Sequence, residues 1–205
     1  MLIFFGILNI IYFQEEDMSQ KVLENLAEFY LKLKVKSKAS QTVVDIFTTL
    51  VKAHHIFICL PEKLEDFGIA RNYIREIRNN FSEARITFLF NYNYFNLMDR
   101  NDRENCNLIL LKPENINRFG LCNRPITEKV NKIKYEVAID LNFDFNLMSA
   151  HLCYISNAPL RICLSNEKRD PFFNFQIQAS TNTLLDTQYR NLLKYISIKP
   201  APSLS

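Results

Sequence analysis

The chain has 205 residues, 48% of them hydrophobic and 23% charged, an ordinary globular balance with length for one sizeable core. Its formal net charge of +3 is too small to point to nucleic acid, and its three glycines argue against a phosphate loop of the P-loop or dinucleotide type. The five cysteines form no CxxC pair and no metal-ligand spacing, so buried free thiols and no metal site are expected.

Residues 1–13, MLIFFGILNIIYF, are strongly apolar. The run is shorter than the roughly 20 residues that a membrane-spanning helix needs. It lacks a basic leader and a small-residue cleavage site, and Glu15, Glu16 and Asp17 follow it, which argues against a secretory signal. Two readings remain, a strand or helix turn packed on the domain or an upstream leader over residues 1–17 with the true start at Met18. The second is preferred.

Residues 19–36 read as an amphipathic helix with Leu23, Leu26, Tyr30 and Leu33 on one stripe. Lys32, Lys34, Lys36 and Lys38 gather at its end, where cations complement the helix dipole, so a solvated helix end is expected. After a polar break at Ser37–Gln41, residues 42–52 read as a second helix with Val43, Phe47, Leu50 and Val51 inward. These helices make an N-terminal helical appendage over residues 1–53.

The stretch from His55 to Phe90 reads as strand, loop, helix, strand. Ile56–Leu60 is a continuous apolar run, suited to a strand buried on both faces. Ile69, Tyr73, Ile74 and Ile77 recur at helical spacing, and Arg85–Phe90 is again β-branched and aromatic. Such a βαβ unit belongs in a parallel sheet with a right-handed crossover. Tyr94 to Met98 suggests a short helix ending in a polar loop, and Leu108–Leu111 a third strand. Lys112 to Pro125 reads as a long loop and Thr127 to Ile133 as a short helix capped by Thr127 or a neighbour. Tyr135–Leu141 is a fourth strand, Leu147–Ile155 a helix and Leu160–Leu164 a fifth strand. A polar turn at Asn166–Pro171 leads toward a final helix at Thr183–Ile196. Strands alternating with helices predict an α/β, Rossmann-like doubly wound parallel sheet over residues 54–198, followed by a frayed tail at 199–205.

Ligands of such sheets meet the carboxyl ends of the strands. That places the loop Pro61–Gly68, with Glu62, Lys63, Glu65 and Asp66, where chemistry belongs. Asp66 reads either as a general base or as the cap of a helix starting near Gly68 or Ile69. Asp140, ending the fourth strand at the same edge, either lines a pocket or bonds loop amides. Lys63, Arg71 and Arg118 either meet an anionic acceptor or are solvated surface charges. His54-His55 has no ligand partner at metal spacing, and His151 reads as a partly buried, hydrogen-bonded helix residue.

Two segments carry a resemblance, LPEKLEDFGIARNYIREIRNNFSEARIT and YEVAIDLNFDFNLMSAHLCYISNAPLRICLS. In order and spacing they resemble glycosyltransferase family 9, the bacterial lipopolysaccharide heptosyltransferases and their relatives, over residues 54–196. Asp66 falls on the family's aspartate, Arg75 and Arg78 on its helix arginines, and Phe81, Ala84, Arg85, Ile86 and Thr87 on the phrase that closes the first unit. Ile139, Asp140, Leu141, Ser149, Ala150, Ala158, Arg161 and Ile162 match the second segment, which carries a short insertion between Asn142 and Ser149. Glu62, Glu65, Asn157 and Cys163 stand where the family has glycines.

The resemblance implies the acceptor-side half of a GT-B architecture. It implies an inverting, nucleotide-sugar-dependent transfer in lipopolysaccharide or other surface-glycan synthesis, with Asp66 as catalytic base. Lys63, Arg71, Arg118 and Asp140 would bind a glycan or lipid-linked sugar acceptor. The chain ends where the family's interdomain linker begins, so it is expected to be inactive alone and to need a separate donor-binding chain. No cofactor, no metal and no nucleic acid are expected. The implied location is cytoplasmic, at most peripheral at the inner membrane. The rival expectation is a non-catalytic glycan-, lipid- or protein-binding module on the same scaffold, and a third is an unrelated Rossmann-like module.

Overall fold

Short β-branched and aromatic runs become parallel strands because intervening helices cover both sheet faces. The computed structural model describes the backbone of residues 2–37, 44–178 and 184–197, with side chains over 19–36, 44–178 and 184–197. Among the described residues the chain runs α1 (Leu2–Ser37), α2 (Ile46–Val51), β1 (His55–Cys59), α3 (Leu64–Ala70), α4 (Ile74–Asn80) and β2 (Arg85–Asn91). It continues through α5 (Arg100–Glu104), β3 (Asn107–Leu111), α6 (Arg124–Asn131), β4 (Val137–Asp140), α7 (Leu147–Ile155), β5 (Leu160–Leu164), β6 (Phe175–Ile177) and α8 (Leu185–Ile196). Short 3-10 turns join several of them. All neighbouring strands are parallel, in the order β3-β2-β1-β4-β5-β6, the doubly wound Rossmann-like arrangement expected from the alternation.

Strand alternation divides the core. Ile56 and Ile58 of β1 belong to one apolar cluster with Phe67 of α3, Ile74 and Ile77 of α4 and Leu192 of α8. Phe57 and Cys59 face the other way, toward Leu31 and Val35 of α1, Val130 of α6 and Leu152 of α7. The N-terminal helices thus precede the sheet and also plant side chains in it, α1 through Leu31 and Val35 and α2 through Leu50.

Several local expectations change. The helix expected at 19–36 is continuous from Leu2. Its buried side carries Ala27, Leu31 and Val35, while Leu26, Tyr30 and Leu33 of the expected stripe are exposed. Both sets recur at helical spacing, so periodicity alone does not say which faces the sheet. In α2, Leu50 is buried as expected but Phe47 and Val51 are exposed. The helix after β1 begins at Leu64, so the expected loop Pro61–Gly68 shrinks and Glu65 and Asp66 lie in a helical first turn. The acidic pair suits the positive end of that helix. Likewise α6 begins at Arg124, capped by Asn123, with Pro125 in its first turn rather than in a loop. The sequence reading missed α5 and β6; five and three residues are too few to show a period. Lys38, Val43, Thr183 and the tail at 199–205 lie outside the described residues.

Two backbone positions carry consequences. Asn157, where the resembling family has glycine, adopts φ 56° just past α7, a left-handed conformation that asparagine tolerates better than most residues. Gly68 sits inside α3, and a Cβ added there would meet nothing within 4 Å. Gly68→Ala is therefore expected to raise stability by about 0.5–1 kcal/mol, read as a higher urea midpoint. A lower midpoint would mean that the α3 backbone needs a clearance this geometry does not require.

Candidate functional site

The strand order reverses between β1 and β4, and the carboxyl edge beside that reversal is where such sheets take ligands. Two loops leave it, residues 60–63 after β1 and 141–146 after β4. They are tied together. The Glu62 amide donates to Asn142 Oδ1 at 2.9 Å, Asn146 Nδ2 donates to the Glu62 carboxylate, and Lys63 forms an ion pair with Asp144. Tyr94 Oη adds a hydrogen bond to the Glu62 carbonyl at 2.7 Å.

Beneath the second loop lies a buried polar cluster. Asp140 has no exposed surface. Its Oδ1 accepts from the Asn142 amide at 3.1 Å and from Asn142 Nδ2 at 2.7 Å, and its Oδ2 accepts from Ser149 Oγ at 3.0 Å. Burial raises its pKa, against the charge of Arg169 and the hydrogen bonds from Asn142 and Ser149. Arg169 is also fully buried and donates to the carbonyls of Leu164 (3.1 Å), Asn142 (2.7 Å), Phe143 (3.1 Å) and Asp144 (2.7 Å). These two residues shape the loop that holds Asp144 and Asn146. Asn146 caps α7, accepting from the Ser149 amide at 2.9 Å.

Asp66 stands at this edge, half-buried in the first turn of α3. Burial raises its pKa most; Lys63 pulls it down, while Asp144 and Glu65 push it up. Its carboxylate accepts no hydrogen bond from the described residues. The helix it was expected to cap starts earlier, and the residue preceding that helix is Lys63, so the capping reading of Asp66 does not hold. Across from it, Tyr189 of α8 donates to the Leu141 carbonyl at 2.7 Å and feels the charges of Asp66 and Asp140.

The candidate residues are only partly gathered. Lys63 and Asp66 share the edge, with Asp140 enclosed beneath the adjoining loop, where it bonds loop amides. Arg71 is elsewhere: it donates to the Leu97 carbonyl at 3.3 Å and borders a separate depression of about 330 Å³ with Arg75, Asp99 and Asp102. Arg118 is exposed in the loop before α6, its guanidinium over the Phe119 ring at 5.0 Å. Of the family-matched arginines, Arg78 is paired with the buried Asp102 of α5, and Arg161 donates to the Phe172 and Ala158 carbonyls, so both are structural.

Beside the edge opens a cavity of about 180 Å³. Leu89, Phe90 and Met148 give it an apolar floor, and Asn91, Asn93, Asn142, Asn146 and Lys112 give it donors and acceptors. A shallower depression of about 370 Å³ shares Glu62, Asn146 and Met148 with it and reaches Glu24 and Glu28 of α1. Such amide-rich lining over an apolar floor suits neutral hydroxyl groups better than a dense anion. Among the described residues no group of three or more His, Cys, Asp or Glu side chains is set to hold a metal. The cysteines are free; Cys59 and Cys153 approach to 3.7 Å and both are buried. His151 is half-buried, its pKa pushed down to about 4 chiefly by burial, and its Nδ1 has no hydrogen-bond partner among the described residues, contrary to the expectation.

Arg169, Asp144, Asn146 and Tyr189 escaped the sequence reading. Arg169 lies in what reads as a polar turn, and nothing local separates a buried arginine from a solvated one. Asn146 offered a signal, an asparagine directly before an apolar helical run.

No family model matches the sequence, and no curated protein matches it. Solved structures do resemble it. A glycosyl transferase family 9 protein from Veillonella parvula DSM 2008 superposes with a TM-score of 0.55 at 15% identity, over 78% of this chain and 44% of the other. The E. coli ADP-heptose lps heptosyltransferase II gives 0.53 at 18% identity, over 73% and 45%. The E. coli heptosyltransferase WaaC with ADP-2-deoxy-2-fluoro heptose gives 0.55 at 11% identity, over 74% and 51%. The chain therefore shares the Rossmann-like fold found in these GT-B glycosyltransferases, and it spans about half the length of each.

Proposed function

We propose that this chain is a glycosyltransferase-like, acceptor-side domain that works with a donor-binding half, in the synthesis of lipopolysaccharide or another surface glycan. The observation that carries this reading is Asp66, a half-buried carboxylate with a raised pKa and no hydrogen bond from the described residues. It stands at the carboxyl edge of a sheet that superposes on heptosyltransferase structures. In this reading an acceptor hydroxyl gives its proton to Asp66 while its oxygen bonds to the donor's anomeric carbon. The bond from that carbon to the donor phosphate breaks, and the nucleoside diphosphate leaves with the electron pair. Two of the similar structures are named for ADP-heptose or its fluorinated analogue, so a nucleoside-diphosphate sugar is the donor class to test.

Lys63 then has two tasks. Its ion pair with Asp144 anchors the two loops to each other, and its charge partly offsets the burial that raises Asp66. In this reading the amide-lined cavity, which Glu62 lines at the same carboxyl edge, takes acceptor hydroxyls, with the floor of Leu89, Phe90 and Met148 against a sugar's apolar face. Asp140 serves this site indirectly, through the loop that it holds. Arg71 and Arg118 stand away from Asp66 and enter the reading only as contacts to remote parts of a large acceptor. The site as proposed uses no metal and no cofactor, and the chain would act in the cytoplasm.

A second reading is supported by Glu62 and Glu65. Their negative charges beside Asp66 oppose an anionic donor, which favours a non-catalytic binding module. Co-expression of the chain with a donor-type domain, followed by assay of nucleoside-diphosphate release, separates the two. Release that requires both chains is the expected result. Absence of release with the donor domain, together with saturable retention of a glycan by this chain alone, would overturn catalysis in favour of binding.

A further inference from the structure

Helix α1 has two apolar sides, and the domain uses one. Ala27, Leu31 and Val35 turn to the sheet. On the opposite side Val22, Leu26, Phe29, Tyr30 and Leu33 are between 54% and 64% exposed. Their spacing makes one continuous stripe along the helix. The same helix begins with Leu2–Phe13, in which Gly6 and Asn9 are the only residues outside the hydrophobic set and none is charged. A helical stretch apolar all round seeks an apolar medium rather than a single seam.

We propose that α1 lies on a lipid bilayer, with its exposed stripe and its first turns immersed in the interface of one leaflet. Length supports lying rather than spanning. Twelve helical residues extend about 18 Å, against a hydrocarbon core of about 30 Å. Among the described residues no helix is long and apolar enough to cross a membrane. Aromatic Phe29 and Tyr30 suit the headgroup boundary, and Lys21 and Lys36 beside the stripe can extend their charges to the aqueous side.

Charge does not drive this contact. Residues 14–37 hold five acidic and four basic side chains, so the immersion is apolar and independent of anionic lipid. A second copy of the chain fits less well. Val22, Leu26, Phe29 and Leu33 do have heptad spacing, but Ser19 and Glu15 occupy the next positions of that register. A seam of two heptads is short for a coiled coil, and it gives no role to the apolar residues that open the helix.

The test is flotation of the full chain with phosphatidylcholine vesicles, at low and at high salt. Vesicle binding at both is expected, with the double variant Leu26→Glu and Phe29→Glu reduced at least tenfold. Both positions are exposed, so circular dichroism should show an unchanged fold. The chain has no tryptophan, so Phe29→Trp supplies a single fluorophore whose emission should shift to the blue with vesicles and be quenched by brominated lipid. Wild-type chain that stays with the aqueous fraction, binding that the double variant retains, or an unshifted tryptophan would overturn the proposal. So would a dimer, seen by light scattering, that the same double variant dissociates without any vesicle binding.

Discussion

Replacing Arg169 by methionine is expected to destabilise the fold by about 3–5 kcal/mol, the usual consequence of removing one member of a buried charged cluster. The guanidinium has no exposed surface and serves four carbonyls, three of them in the loop between β4 and α7. Methionine fills much of the volume and supplies none of the donors. It also leaves Asp140 buried without the positive charge that now opposes its burial. The sign of the pH dependence follows. The folded-state pKa of Asp140 is raised, so its contribution to stability is fully present below the unfolded pKa and is lost as pH rises through the folded one. Without Arg169 that pKa rises further, and the variant holds Asp140 protonated over a wider range. Urea denaturation should therefore show a larger loss in neutral buffer than in acid buffer just above the ordinary carboxylate range. A loss below about 1 kcal/mol at neutral pH would mean that water replaces the guanidinium at these carbonyls.

Replacing Asp66 by asparagine is expected to lower transfer by about 10²–10⁴-fold when the donor-binding half is supplied, the usual share of a general base. The same change should leave stability in neutral buffer unchanged or higher. Asp66 has a raised folded pKa, so its contribution is present below the unfolded pKa and is lost as pH rises through the folded one. Where Asp66 is ionised, the fold carries a charge that burial disfavours, and the amide removes that cost. A residue kept only to complement the α3 dipole should show the reverse, a loss of stability with no loss of turnover. The pH profile adds a second readout. As the proposed base Asp66 would act in its ionised form, so kcat/KM is expected to rise with pH along a limb centred above the ordinary carboxylate range. Asp66→Asn should abolish that limb. Turnover within about tenfold of the wild type, with the limb intact, would remove Asp66 from the role of base.

Much of the fold was legible because most of its strands are short apolar runs, separated by helices long enough to show a period. Ile56–Leu60 and Leu160–Leu164 announce buried parallel strands with little help from context, and Leu147–Ile155 announces its helix. What failed was finer. The start of α3 at Leu64 was hidden because Glu65 and Asp66 read as loop residues, although acidic residues also favour a helical first turn. Phe175–Ile177 needed β5 beside it to become a strand at all.

The site was less legible than the fold. Asp66 could be singled out by its place after the first strand and by the family resemblance, and Lys63 lies three residues away in sequence. Asp144 could not be matched to Lys63, because 81 positions separate the ion pair. Arg71 and Arg118 looked equivalent to Lys63 as cations near the strand ends, but the chain turns them toward other surfaces.

By itself the sequence determined five of the six strands and the longer helices, that the sheet is parallel and doubly wound, and that a carboxylate follows β1. Those outcomes depend on periodicity and local chemistry, which neighbouring residues encode. Only the tertiary structure decided which side of α1 is buried, that Asp140 and Arg169 are enclosed beneath the second loop, and that Asp66 at the carboxyl edge is half-buried with no hydrogen bond from the described residues. Each of those depends on partners distant in the chain. Burial is a property of what packs against a residue, and Leu31 and Leu26 of one helix, a leucine inside and a leucine outside, differ in nothing else.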